Sequence, residues 1–387
     1  MLRAILWLSQ AVVALPALYS SMIALFGLAT KDQPVVGGQP RIRVRAVVPA
    51  HNEEAVVEGI ARDLEHQTHP SRLLSSVVIA DRCTDRTAEL ARTHVPVAER
   101  EEGSATKGAA IDWYLGTEPL GPREILLILD ADNRIDDDYV ARVAAAFERG
   151  AEVVQTYLDV ANPDGSPLAT ANALTYWASN RMVQLARSNL GWSCDLGGTG
   201  MAVTGAALAE AGGFTDDLAD DLSLNIRLNL AGYETRWLHD ARVRDEKPVG
   251  TRSTVTQRAR WVRGKRLLAR RYGWTLIRSG VVDRRPGLID LAYRLLQPGR
   301  SFLALLLGVF TAAAIVWPDA GWWSPWLLGG MTAIVVLLPV FFLIVDGVPA
   351  RYIVRYPLVT LLALLWLPIR VASRLMPGWR RTSHAGG

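Results

Sequence analysis

The sequence predicts an α/β domain built on a parallel sheet and set between apolar segments. Two observations lead there. Through the middle of the chain, short apolar runs alternate with amphipathic ones, the pattern of successive strand–helix units. At both ends, hydrophobic residues gather into long stretches with little or no charge.

In chain order, "VRAVVPA" reads as a strand and "EEAVVEGIARDLEHQ" as a helix. "LLSSVVIA" is a second strand, followed by the helical "DRTAELARTH" and "GAAIDWYLG". "EILLILDA" is a central strand, "DDYVARVAAAFER" a helix and "AEVVQTYLDV" another strand. In such sheets ligands bind outside the carboxyl ends of the strands. Three of those ends read "PAHNEE", "ADRCTD" and "DADN", so His51, Asn52, Glu53, Asp81, Asp85, Asp130 and Asp132 should share one rim. Any one acid there could be a helix cap, and Asp136 to Asp138 fit that role. The set is different, because converging like charges repel unless a cation neutralises them. Carboxylates on a loop suit a hard divalent ion that also grips phosphate, Mg²⁺ or Mn²⁺.

Half of the 387 residues are hydrophobic and 21% are charged, which excludes a disordered chain. The net charge of +4 raises nucleic acid as a partner. Arginine, however, lies beside the apolar segments, where anionic membrane lipids suit it better, so no nucleic-acid partner is expected. Cys83 and Cys194 are the only cysteines, and no disulfide is expected.

Ala4 to Thr30 carries no formal charge and is long enough to cross a bilayer. Three more apolar segments follow residue 300, with Trp317, Trp322, Trp323 and Trp326 placed as an interfacial belt. The last is interrupted by Arg370 and Arg374 and could lie in the interface instead. "KDQPVVGGQP" reads as the linker out of the first span. Arg41, Arg43 and Arg45 beyond it, with the basic run from Arg258 to Arg266, place the central domain in the cytoplasm of a multi-pass cell-membrane protein. One span before the domain and three after it would leave Arg370, Arg374, Arg380 and Arg381 outside, against that rule. "STVTQRARWVRGKRLLARRYGW" alternates apolar and basic residues in a helical period, as an amphipathic helix on the inner membrane surface would.

The order of these motifs resembles the membrane-embedded inverting glycosyltransferases of family 2, which have a GT-A, Rossmann-like fold. Among them are the synthases of cellulose, hyaluronan, poly-N-acetylglucosamine and chitin oligosaccharides. The resemblance divides the chain into a transmembrane helix (1–30), a GT-A domain (41–255), QxxRW and interfacial helices (256–300) and a C-terminal transmembrane region (301–376). "VVPAHNEE" is similar to the opening donor loop, which implies Pro49, His51 and Glu53 at the nucleotide. "IADRCTDRTAEL" implies Asp81 near the base, with Asp85 either there or starting a helix. "DADN" resembles DxD, implying Asp130 near the ribose and Asp132 on the metal. "LADDLSLNIRLNLAGY" resembles the segment of the catalytic base, with Asp220-Asp221 where the family usually has Glu-Asp. "QRARW" matches Q-x-x-R-W at Gln257, Arg260 and Trp261, taken as acceptor or product contacts. Lys107 resembles a lysine that approaches the diphosphate. "LGGTGMAVTG" resembles an acceptor-lining segment, implying Gly198 and Thr199, although a glycine-rich turn entering a strand reads equally well.

The resemblance implies a metal-dependent transfer of sugar from a nucleotide-sugar, a UDP-sugar by preference, to a growing poly- or oligosaccharide. Asp221 is the general base and Asp220 its orienting neighbour. The alternative acceptor is a lipid, as for ceramide glucosyltransferases. An inactive membrane partner of a synthase is a third reading, against which the complete acidic set argues. His239 and Glu246 fall beside the last strand, and His239 is read as a packed side chain before a metal ligand.

Overall fold

The computed structural model describes residues 2–30, 40–215, 217 and 219–375. The expected linker, Pro40 apart, and Arg380 and Arg381 lie outside these. Helix α1 (Leu2–Leu25) precedes β1 (Val44–Ala50), α2 (Val57–Glu65), β2 (Leu74–Asp81), α3 (Thr87–Arg92) and β3 (Val97–Arg100). Then come α4 (Lys107–Thr117), β4 (Ile125–Ile128), β5 (Arg134–Ile135), α5 (Tyr139–Glu148) and β6 (Val153–Val160). Helix α6 (Pro167–Ser179) runs through a π-helical turn, Asn180–Leu185, into α7 (Ala186–Asn189). After β7 (Met201–Thr204) follow α8 (Gly205–Glu210), α9 (Asp220–Leu230) and β8 (Thr235–Asp245).

The strands form one sheet in the order β3-β2-β1-β4-β7-β6-β8-β5. From β3 to β4 the pairing is parallel, with Val47 opposite both Val77 and Ile128. Strand β7 then runs antiparallel to both β4 and β6, and β5 runs antiparallel to β8. The sheet is therefore mixed rather than purely parallel, which corrects the expectation from sequence. Successive residues point to opposite faces. Val48, Leu127 and Leu129 pack with Val57 and Ile60 of α2 and Val143 of α5. Val47, Leu126 and Ile128 pack with Ile111 of α4 and Leu224 and Leu228 of α9. Both faces are covered, so β4 is apolar throughout.

The 32-residue α10 (Thr251–Val282) packs with α11 (Pro286–Leu296) against α9 through Leu222, Ile226, Leu268 and Leu291. The boundary expected at residue 255 falls inside α10. Leu267, Trp274, Ile277, Val281 and Val282 are exposed on it. Helices α12 (Arg300–Val316) and α13 (Pro325–Val345) pack on α1 through Val13, Ala17, Leu307 and Val335. The short α14 (Ala350–Ile353), α15 (Val359–Leu364) and α16 (Trp366–Leu375) end the described chain. Among the described residues, two helices are long and apolar enough to cross a membrane, at Arg3–Leu25 and Pro325–Val345. Up to four segments qualify if the pairs α11–α12, bent by 71°, and Tyr356–Leu364 with Pro368–Leu375, bent by 45°, each count as one span.

Candidate active site

The rim at the carboxyl ends of β1, β2 and β4 is held together by its own side chains. Pro49 pairs with Ile79 inside the sheet, so β1 delivers His51 and Asn52 directly beside the end of β2. Asn52 has φ 55°, a left-handed conformation that asparagine tolerates better than most residues. There its Oδ1 accepts from the Thr84 amide at 2.7 Å. The His51 Nδ1 lies 2.6 Å from the Asp81 carbonyl. A carbonyl only accepts, so Nδ1 carries the proton. The Glu53 amide donates to the Thr87 hydroxyl at 2.7 Å. Asp85 accepts from the amide of Thr87, the first residue of α3, at 3.0 Å and from the Glu54 amide at 3.2 Å. Asp81 is buried and accepts from Arg82 at 3.1 and 2.8 Å and from Arg100 at 3.1 Å.

Around β4 a second group converges. The Asp130 amide donates to Asn133 Oδ1 at 2.9 Å and to Thr199 Oγ1 at 3.1 Å, closing a turn. Asn133 also gives its amide to Asp132 Oδ1 at 3.2 Å. Lys107, at the start of α4, donates to Asp130 Oδ1 and, at 2.6 Å, to the Gly198 carbonyl. Thr199 is buried, with its hydroxyl donating to Asn133, so it supports the turn around Asp130. Sequence reading missed Asn133 and Gln155. Gln155 lies in the middle of a buried strand, donates to the Thr199 carbonyl at 2.9 Å and accepts from the Gly197 amide at 2.8 Å. A polar residue inside an apolar strand was the available signal, since buried amides are retained where they are satisfied.

Asp220 and Asp221 open α9. Asp220 Oδ2 accepts from the Gly108 amide at 3.1 Å and Oδ1 from the Asp221 amide at 3.0 Å. Asp221 Oδ1 accepts from the Leu222 amide at 2.7 Å. Its Oδ2 faces Gly198, where φ is +83° and an added Cβ would lie 3.2 Å away. Both carboxyls are partly solvent-reachable and crowded by protein. Burial, and then the neighbouring Asp220 charge, pushes the Asp221 carboxyl up to about 7, against the pull of Lys107 and of Arg260 on α10. Asp220 is also raised, chiefly by burial. Gly264 lets α10 approach this point, because a Cβ there would sit 2.8 Å from Ala219 Cβ. Gln257, Arg260 and Trp261 are thereby carried on the same helix. Trp261 lines a cavity of about 980 Å³ that runs from α10 between α6, α12 and α13. Leu305, Val309, Val336 and Pro339 form part of its apolar wall. His239 is buried elsewhere, accepting from Trp237 Nε1 at 3.1 Å and lying 3.4 Å from Asp346.

Among the described residues, no three His, Cys, Asp or Glu side chains gather as a metal cage. A Mg²⁺ site of the kind that binds through one or two carboxylates, with substrate phosphates and water completing the shell, needs no such cage. Asp132, which accepts from the Asn133 side-chain amide, is the carboxylate that could hold such an ion.

Residues 125–371 match the family described as glycosyl transferase family group 2. A beta-monoglucosyldiacylglycerol synthase of Nostoc sp. is 29% identical over 250 residues, covering 60% of this chain and 50% of that protein. A probable glycosyltransferase of Bacillus subtilis is 24% identical over 262 residues, covering 65% and 61%. The chain spans about half the length of the first of these curated relatives. A mannosyltransferase from Pyrobaculum calidifontis, solved with GDP-Man and Mn²⁺, superposes with a TM-score of 0.55 at 21% identity, covering 89% of this chain and 99% of that one. This likeness is one of fold, and it agrees with the GT-A order of the sheet. With well over half its length matched, the chain belongs to glycosyl transferase family group 2.

Proposed function

We propose that this protein moves a sugar from a nucleotide-sugar to a lipid acceptor at a membrane, with inversion at the anomeric carbon. The carrying observation is the cavity, which brings an apolar wall from α12 and α13 up to Trp261, on the helix whose Arg260 charge is felt at Asp221. The wall favours a lipid over the growing saccharide, the first reading from sequence. The Nostoc relative is named for a diacylglycerol-linked product, which supports the lipid.

In this reading the α1 and α13 segments cross the bilayer, and the exposed apolar face of α10 rests on it. His51 and Asp81 receive the nucleotide, Glu53 and Pro49 shape that loop, and Asp130 lies by the ribose. Asp132 would hold a divalent metal, which when bound would supply Lewis-acid support to the diphosphate. Lys107 and Arg260 add positive charge where the leaving group gathers negative charge. Asp221 accepts the proton of the acceptor hydroxyl, for which a carboxyl titrating near 7 is suited. Trp261 forms the platform where the sugar meets the lipid, with Gln257 on the same helix, while Gly198 lies against Asp221 and Thr199 supports the turn around Asp130.

Purified protein with Mg²⁺ or Mn²⁺ and a panel of UDP-, GDP- and TDP-sugars should add one sugar to an extracted lipid, read by mass spectrometry. A saccharide ladder instead of one mass increment would return the acceptor to a polymer. No nucleotide release from any donor would support the inactive partner.

A further inference from the structure

We propose that the cavity receives an anionic phospholipid whose headgroup carries a free hydroxyl, its phosphate held among Arg258, Lys265 and Arg300. This rests on the lipid-acceptor reading and narrows it to a class of lipid.

The inference begins with a charge inventory. Five cationic side chains line the cavity, Arg187, Arg258, Lys265, Arg294 and Arg300, against one carboxylate, Asp195. Two of the five are answered. Arg187 donates to Asp290 at 2.7 and 3.0 Å, and Arg294 donates to Asp195. The other three form no ion pair among the described residues. Arg258 gives one hydrogen bond to a neutral group, Asn172 Oδ1, at 2.7 Å. Arg300 gives Nε to the Val335 carbonyl and Nη2 to Ser21 Oγ, both at 3.2 Å. That carbonyl is free to accept because residue 339, four positions on, is a proline without an N–H. Lys265 is exposed at the cavity margin.

Positive charge beside an apolar wall is unfavourable unless something answers it, and in membrane proteins such residues mark where a ligand sits. A neutral glycerolipid would leave the three cations as they are. A phosphate answers them, and the guanidinium forks of Arg258 and Arg300 match its oxygens. The hydroxyl follows from the other end of the site. A phosphate oxygen attacking as nucleophile carries no proton at neutral pH and has no need of Asp221. An alcohol does. The acceptor O–H proton passes to Asp221, the oxygen bonds the anomeric carbon, and the bond from that carbon to the diphosphate breaks with its electron pair leaving on the diphosphate.

The test uses the full chain in phosphatidylcholine vesicles doped with phosphatidylglycerol, diacylglycerol or a polyprenyl phosphate, with transfer followed by mass spectrometry. Phosphatidylglycerol is expected to exceed diacylglycerol by at least about tenfold in kcat/KM. Phosphatidylserine, anionic but without an alcohol, should compete and carry no sugar. Arg258→Gln and Arg300→Gln should each raise the KM for phosphatidylglycerol by about tenfold, with Arg258→Lys recovering part of it. Donor binding by calorimetry should stay unchanged, which also reports that the variants fold. Lys265→Gln, on the surface, should raise the same KM by a smaller factor. Equal use of diacylglycerol, preference for polyprenyl phosphate, or a KM indifferent to all three substitutions overturns the inference while leaving a lipid acceptor standing. Sugar found only on saccharides removes the lipid reading itself, and this inference with it.

Discussion

Asp221 combines a held Oδ1 with an Oδ2 that faces Gly198 and carries no hydrogen bond from the described protein. Asp221→Asn should lower transfer by about a thousandfold or more, the scale of a lost general base. Donor affinity by calorimetry should barely move; normal turnover in a folded variant would dismiss the assignment. The raised carboxyl predicts an acidic limb in kcat/KM centred near pH 7, with activity lost below it as the base protonates. Asp220→Asn removes a neighbouring negative charge, so that limb should shift to lower pH. Stability runs the other way: a carboxyl raised by folding favours the native state below its folded pKa. That contribution is lost as pH rises from about 4 through 7, visible in thermal melts across that window. On the proposed reading Asn133 acts through Asp132, and Asn133→Ala should weaken Mn²⁺ binding by about tenfold to a hundredfold, measured by paramagnetic resonance with UDP present. That the aspartates end up on one rim was legible in the sequence because three strand ends carry them together. Asn133 and Gln155 were not, since an amide's importance lies in which backbone groups it reaches.

At the level of elements, the contact of α10 with the start of α9 depends on a missing side chain at Gly264. Gly264→Val should displace α10, destabilising by about 1–3 kcal/mol as overpacking does. It should reduce kcat/KM by about tenfold or more, a loss that steady-state kinetics beside a melting curve would separate from unfolding. Undiminished kcat/KM would mean that Arg260 is not placed by this contact. Strands β1, β2 and β4 were readable because each is a mostly apolar run between turn residues, whereas β3, with Glu99 and Arg100 among its four residues, was not. The direction of β7 was not: a four-residue strand buried on both faces looks the same run either way. Strand β5 is two residues long, too short for any period to show. The single span of α10 was hidden because its basic residues mark one face, not its ends.

For the whole molecule, the bond between domain and apolar helices rests on buried charge. Asp290 of α11 receives Arg187 from α7 and the Tyr19 hydroxyl of α1 at 2.8 Å. Removing one partner of such a network leaves a buried charge unanswered, so Asp290→Ala should destabilise by about 3–5 kcal/mol. Differential scanning calorimetry in detergent should show the drop, and a melting temperature within a degree or two of wild type would contradict it. Helix α10 belongs at this scale too. At 32 residues it is about 48 Å long, and it carries Arg260 toward Asp221 while Arg258, Trp261 and Lys265 border the cavity. On the proposed reading, catalytic alignment and membrane seating are therefore set by one rod. A bilayer that tilts the rod retunes the chemistry, so turnover should track acyl-chain length and lateral tension even when substrate is saturating.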